Sequence, residues 1–375
     1  MRQKAIEAML PFFAERFANP SGSHRFARDA RLAVDEARDR VAAALGVLPG
    51  EVVFTGCGTE SDNAAIVGSM STGGTAVCAA AEHHAVLHPV EHLNGRVVRV
   101  DGCGRVDLDD LAAALGPGVA IVSVMAVNNE VGSINDLAAV SQLVRERAPR
   151  ALLHTDAVQA ACWLDLRGIT PLVDLMSLSA HKFGGPKGVG VLTVRDGVRL
   201  APILMGGGQE RERRSGTHNV AGIVGLAEAL CISDVDRDRE NERLTGLRER
   251  LVDGITSQLD GVLETVPRDV KIAGSAHVCF SGIESEALLY LLDEADVCAS
   301  AASACASGAM EPSHVLAAMG VEREWTRGAL RMSLGHTSSQ ADVDRAVDVV
   351  VDAVTRLRRA GSVRAGAAVR GVAST

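Results

Sequence analysis

Short apolar runs recur along the first two thirds of the chain, and most are followed by a stretch whose apolar positions repeat at helical spacing. The runs at 52–55, 76–80, 97–100, 120–127, 151–154, 175–179 and 189–194 predict strands. Several are continuously apolar rather than alternating, which is the pattern of strands buried on both faces of a mainly parallel sheet. Before them, 1–17 and 26–45 read as amphipathic helices, separated by the breaker Asn19-Pro-Ser-Gly-Ser-His24. The expectation is an α/β domain with helices covering the sheet.

The text changes at the charged stretch 234–250, which reads as a long solvated helix leaving that domain. Beyond it the pattern is α+β. Strands are predicted near 277–280 and 329–334, and helices at 284–294, from Pro312 and at 342–359, with a small-residue loop at 300–308 between them. The last helix carries valines at core spacing, and 360–375 is small and polar enough to read as a disordered tail. The resulting division is a large domain of 13–239 and a smaller α+β domain made of 1–12 and 240–359.

Composition narrows the class. A chain of 375 residues, 47% hydrophobic, can bury a sizeable core. A net charge of −9 argues against a protein that coats nucleic acid, so no direct nucleic-acid binding is expected. No apolar run reaches the ~18 residues of a spanning helix, and the start, Met-Arg-Gln-Lys-Ala-Ile-Glu, lacks the apolar core of a secretory signal. A cytoplasmic enzyme is the expectation. Eight cysteines without a C-x-x-C pair form neither a zinc site nor a disulfide framework, and no metal is indicated.

The chemistry centres on Ser177-Leu-Ser-Ala-His-Lys-Phe-Gly-Gly-Pro-Lys-Gly-Val-Gly190. Here a buried strand opens into a glycine-rich turn bearing Lys182. An amine held partly out of water at such a place reaches its neutral, nucleophilic form more easily, while Ser179 and His181 can face an anion. An ordinary surface lysine is the plain alternative. Gly56-Cys-Gly-Thr-Glu-Ser-Asp-Asn63 joins a strand to a helix, so backbone N–H groups and Thr59 can cradle a phosphate, although the stretch fits neither a Walker loop nor G-x-G-x-x-G. Glu82-His-His84 can set an imidazole against a flat ligand. Asp156 and Gln159, at another strand's end, can contact a pyridine nitrogen and a phenolic oxygen, with an N-cap the plain reading of Asp156.

Taken together, Thr59-Glu-Ser-Asp-Asn63, Glu82-His-His-Ala85, Asn128-Asn-Glu-Val-Gly132, Asp156-Ala-Val-Gln159, the Lys182 stretch, Gly206-Gly-Gly-Gln-Glu-Arg211, Arg214-Ser-Gly-Thr217 and Ser303-Ala-Cys-Ala-Ser-Gly308 resemble, in this order, the motifs of pyridoxal-phosphate-dependent cysteine desulfurases of the class V aminotransferase superfamily. The resemblance spans about residues 5–355. It implies the type I fold of pyridoxal-phosphate enzymes and a homodimer. By the same resemblance Lys182 is the Schiff-base lysine, Asp156 faces the ring nitrogen, Gln159 the ring hydroxyl, and His83 stacks on the ring and shuttles protons. Gly58, Thr59, Ser179 and His181 hold the phosphate, with Thr217 supplied by the other subunit. Asn129 and Arg331, the latter in Leu330-Arg-Met-Ser-Leu-Gly335, hold the substrate carboxylate, and Cys305 accepts sulfur.

The implied reaction converts L-cysteine to L-alanine, leaves a persulfide on Cys305 and passes the sulfur to an acceptor protein, whether for iron–sulfur assembly, tRNA thiolation or DNA sulfur modification. Cys305 lies in a run of alanines and serines with little to anchor it in a core, which fits a travelling thiol. Two departures stand out. A Leu-Asp-x-x-Ala-Thr-Thr-Pro-like opening segment of the family has no match here, and Ala302 stands where glycine is usual. An aminotransferase or selenocysteine lyase on the same fold, and a non-catalytic sulfur-acceptor scaffold, are the alternatives.

Overall fold

The computed structural model describes residues 1–301 and 313–372, with the side chains of Thr72 and 362–372 left out. The chain forms two compact units: Met1–Arg99, Val106–Val127 and Asn135–Asp238 make the first, and Val100–Arg105, Asn128–Ile134 and Arg239–Thr375 the second. Residues 1–12, expected with the smaller domain, cluster with the first unit. Arg2 explains this, because its backbone N–H donates to the Gly184 carbonyl and its guanidinium to the Phe183 carbonyl and to Asp236.

In the first unit, seven strands make one sheet: β1 (Val52–Thr55), β2 (Thr75–Ala79), β3 (Arg96–Val98), β4 (Val119–Ser123), β5 (Leu152–Asp156), β6 (Leu175–Ser179) and β7 (Gly190–Val194). Their order is β1-β7-β6-β5-β4-β2-β3, and only β7 runs against its neighbours. Every residue of β1, β6 and β7 is buried, as continuous apolar runs require. Strand β4 is shorter than expected: beyond Ser123 the chain leaves the ladder but stays beside β5, with the Val124 and Ala126 N–H groups donating to the His154 and Asp156 carbonyls.

The helix Arg25–Leu45 shows how sequence makes structure locally. Its N-cap His24 accepts the Ala27 N–H, Ala27, Ala30, Val34, Val41 and Leu45 form one buried stripe, and Gly46 ends it in the left-handed region at φ 68°. The expected helix 1–17 is instead two pieces, Gln3–Met9 and Pro11–Ala14. Pro11 brings no N–H and starts the second piece.

The second unit holds an antiparallel sheet of β8 (Val262–Glu264), β9 (Ser275–Phe280) and β10 (Ala329–Ser333), in the order β10-β9-β8. The three half-buried residues of β8 carry no pattern long enough to be read beforehand. Leu251, Phe280, Leu288, Leu292, Leu330, Val343, Val347, Val350 and Val354 share the core of this unit. The charged stretch 234–250 is the middle of one helix, Val220–Thr256. The last helix runs Gln340–Val372, so the residues expected as a disordered tail up to 372 are helical. Alanine is the commonest residue there and no proline intervenes, which lets the helix propagate.

Candidate active site

Most of the predicted groups of the first unit lie at the carboxyl ends of four parallel strands, β1, β2, β5 and β6, where ligands of open α/β sheets bind. β5 ends in Asp156, whose Oδ1 accepts the Val158 N–H at 2.8 Å. Burial raises this carboxyl to about 6, against the pull of the Val158 N–H and of the Lys182 charge. A carboxylate oxygen of Asp156, one of Asp62 and a ring nitrogen of His83 all lie within 4.8 Å of one another. His83 caps the helix His84–His92 by accepting the Ala85 N–H on Nδ1 at 3.1 Å, which leaves Nε2 to carry the proton of the neutral ring.

β6 runs into the tight turn Ala180–Phe183, closed by Gly184 at φ 85°. Lys182 sits on that turn and is exposed, so the expectation of an amine withdrawn from water does not hold for the cofactor-free chain. Beside that turn, Ser179 Oγ and His181 Nδ1 are 2.9 Å apart, and burial followed by the charges of Lys182 and Lys187 lowers the His181 imidazole. β1 leads through Cys57 into the helix Gly58–Ser69, with Thr59 exposed in its first turn. A Cβ on Gly58 would stand 2.7 Å from Val158 Cγ2 and 3.3 Å from Ser179 Cβ, so this cradle admits only glycine. Gln159 is half-buried three residues past Asp156, and Thr217 is exposed on the segment after Gly206.

Behind Asp156 lies a buried polar layer that the sequence reading did not assign. The register sets Ser123 beside His154 and Asp156 beside Ser177. His154 is thus held on both sides, Nδ1 against Ser123 Oγ at 2.8 Å and Nε2 against Ser177 Oγ at 2.9 Å, and burial lowers its pKa to about 3, so the ring is neutral. Asp62 Oδ1 stands 3.6 Å from the same Nε2, and burial first, then the Asp156 charge, push the Asp62 carboxyl well up. Glu82 accepts the Met125 N–H at 2.6 Å, yet burial still raises it strongly, with Asp156 adding to the rise. Burial thus strongly disfavours the charged forms of Asp62 and Glu82, while the Lys182 charge favours the ionised form of Asp156. Asp62, Glu82 and Ser177 lie within motifs already singled out and His154 stands two residues before one; what the sequence could not show is which way they point.

In the second unit the geometry joins Arg331 to Asn129. Arg331 Nη1 donates to the Asn129 carbonyl at 3.0 Å, and the Arg331 backbone pairs with Ser300 through bonds of 2.7 and 3.1 Å. Burial lowers the Arg331 pKa against the opposing charge of Glu130, which itself accepts a hydrogen bond from Ser313 Oγ. Cys305 lies outside the described residues.

The donors of the first unit fit pyridoxal phosphate: a lysine amine, a buried carboxylate for a ring nitrogen, an imidazole, and a cradle that a Cβ would fill. Comparisons with known proteins agree. The aminotransferase class-V family matches residues 1–346. The chain is 39% identical over 367 residues to cysteine desulfurase IscS of Dictyoglomus turgidum, covering 96% of this chain and 93% of that one. It is 43% identical over 383 residues to an IscS-like cysteine desulfurase of Mycobacterium tuberculosis, covering 98% and 97%. Among solved structures it resembles a NifS-like protein, with a TM-score of 0.89, 34% identity, and coverage of 95% and 96%. It also resembles SspA in complex with cysteine, with a TM-score of 0.77, 30% identity, and coverage of 89% and 95%.

Proposed function

The chain belongs to the aminotransferase class-V family and is a pyridoxal-phosphate-dependent cysteine desulfurase of the type I fold, and on that premise we propose the role of each site residue, with Cys305 as the sulfur acceptor. The observation that carries the assignment is the cluster at the end of β5: a charged, buried Asp156 with His83 within 4.8 Å and the Lys182 charge felt at its carboxyl.

The cofactor, when bound, supplies an electron sink for charge formed at the substrate Cα. Asp156 keeps the ring nitrogen protonated, and Gln159 meets the ring hydroxyl. His83 would pack against the ring and move a proton at Nε2. Gly58, Thr59, Ser179 and His181 hold the phosphate, together with the partner subunit's Thr217, which makes the active enzyme a homodimer. Lys182 would hold the cofactor through its amine. Arg331 and Asn129 grip the substrate carboxylate. The Cys305 thiolate attacks the substrate sulfur; the C–S electron pair stays with carbon, protonation there gives L-alanine, and the persulfide passes to an acceptor protein such as one serving iron–sulfur assembly.

Seven cysteines among the described residues are free, which fits a reducing, cytoplasmic setting. Among the described residues no helix is long and apolar enough to cross a membrane. The test is alanine and sulfide production from cysteine by the unaltered protein and by Cys305→Ser. The variant is expected to bind cofactor normally and to form no persulfide. Sulfide release at an undiminished rate would remove Cys305 from the mechanism.

A further inference from the structure

The segment around Thr217 is built at a conformational cost that its fold must offset. Glu210, Arg211 and Glu212 stand consecutively in the left-handed region, at φ 49°, 57° and 65°. Side chains other than glycine rarely adopt that region, and three in a row persist only where the surroundings over-determine them. Here they do. The Glu210 carboxylate is 6% exposed and takes both Arg38 nitrogens, at 2.6 and 2.9 Å, the Phe54 N–H at 2.8 Å, and His218 Nε2 at 2.6 Å. Burial would push this carboxyl up, but His218, Arg38 and the Phe54 N–H outweigh it and hold it down to about 2. The segment is also cross-braced internally: the Gly216 N–H donates to Gln209 Oε1 at 2.8 Å, the Gly208 N–H to Ser215 Oγ at 3.2 Å, and the Ser215 N–H to the Leu204 carbonyl at 3.1 Å.

A second tie leaves this braced segment and ends in the phosphate cradle. Arg214 grips Glu60 with two hydrogen bonds, Nε to Oε1 at 2.8 Å and Nη2 to Oε2 at 3.3 Å, and Oε2 also accepts the Gly56 N–H at 2.8 Å. Glu60 is next to Thr59 in the first turn of the helix Gly58–Ser69, and Arg214 stands three residues before the exposed Thr217. One chain therefore joins, through a two-pronged ion pair, the cradle for its own cofactor phosphate and the segment that bears Thr217.

We propose that the Arg214–Glu60 pair links the two cofactor sites of the homodimer, making cofactor binding at one site favour binding at the other. The proposal rests on the reading above that Thr217 serves the partner subunit's cradle. A phosphate settling on Gly58 and Thr59 orders the first turn that Glu60 belongs to. Through Arg214 that order reaches the segment offered to the partner, so the second cofactor meets an already stiffened site. Linkage makes the effect reciprocal between the subunits. Arg214 and Glu60 are positioning residues in this scheme, since neither is assigned a contact with the ring or the substrate.

The test uses the purified dimer stripped of cofactor and titrated with pyridoxine 5'-phosphate, which lacks the aldehyde and so reports binding without a bond to Lys182. Sedimentation is run on the same samples. The unaltered dimer is expected to give a Hill coefficient above unity, falling to unity in Arg214→Gln and in Glu60→Gln. The double variant should be no further changed than either single one. Hydrogen exchange over 204–217 should slow on binding in the parent but not in the variants. A dimer whose binding curve keeps the same steepness in parent and variants overturns the link. A parent that sediments as a monomer overturns the homodimer reading instead.

Discussion

Two layers of polar side chains meet at the end of β5, and they differ in what water can do to them. Lys182, His181, His83 and Thr59 are exposed and able to rearrange around a ligand. Asp62, Glu82, His154, Ser123 and Ser177 are buried in the sheet and its flanking helices, with every exposure at or below 1%. Asp156 belongs to both layers, since its backbone is in β5 and its carboxyl faces His83. The outer groups are positioned for bond making, whereas the inner ones fix where charge resides before any ligand arrives. A buried layer that disfavours charge on Asp62 and Glu82 has done its electrostatic work during folding.

The comparison breaks most visibly at Lys182. Lys182→Ala is expected to lower turnover by on the order of 10³-fold or more, because no other amine stands on the turn after β6 except Lys187 beyond the glycines. Borohydride reduction of the loaded protein followed by mass spectrometry checks the assignment, with the label predicted on Lys182; a label on Lys187 would displace it.

Asp156 tests the boundary between the layers. Asp156→Asn is predicted to keep cofactor yet lose roughly 10²-fold or more in turnover, since a neutral amide no longer holds the ring nitrogen protonated. The same change should stabilise the cofactor-free chain. Held at about 6 rather than an ordinary 3.8, the Asp156 carboxyl gives the folded chain more affinity for a proton than the unfolded chain has. That contribution is fully present below the ordinary value and is lost as pH rises through about 6, to the extent of about 3 kcal/mol. Urea unfolding of the cofactor-free forms at pH 5 and pH 8 captures about half of it: the parent should weaken across this window by roughly 1.4 kcal/mol relative to Asp156→Asn.

In the second unit Arg331 repeats the division on a smaller scale, with its guanidinium toward Asn129 and buried Glu130 beside it. Arg331→Lys is expected to raise the KM for cysteine about tenfold while changing kcat less, because an ammonium cannot grip a carboxylate with two parallel bonds. An unchanged KM would place Arg331 outside the substrate site.

The outer layer was legible in the sequence because it lies at strand ends, where an apolar run stops and Asp156, Ser179 or Gly58 follows. Strand β6, Leu175-Met-Ser-Leu-Ser179, was legible to the residue because its run of leucine, methionine and small serines stops just before the glycine-rich turn. The inner layer was not. His154, Ser123 and Ser177 sit within apolar strands, and only the register of β4, β5 and β6 shows that they touch. Pairing register is a property of the assembled sheet, which no single run encodes. The broken first helix was missed for the opposite reason: helical spacing dominates 1–17 while Pro11, one residue, decides it. Likewise the small residues and glycines of 360–372 suggest a disordered tail, but its alanines extend a helix that is already nucleated.

Asp62 gives the smallest expected effect and the sharpest test of the division. Its carboxyl is 1% exposed, and its Oδ1 has no hydrogen-bond partner, the His154 ring being 3.6 Å away. An ionised oxygen in that position would be costly, whereas a protonated acid is not, which is why burial and the Asp156 charge push it up so far. An amide has nearly the shape of a protonated carboxyl and the same lack of charge. Asp62→Asn is therefore predicted to change turnover by no more than about threefold and to leave thermal stability near neutral pH within ~1 kcal/mol. Asp62→Ala removes the group that Ser177 meets and opens a cavity, so it should cost more, about 1–3 kcal/mol. Steady-state kinetics and thermal melts of the two variants decide the matter. Should Asp62→Asn lose a hundredfold in activity, Asp62 would have to be charged and acting on the ligand, and the inner layer would no longer be a preset background to Asp156.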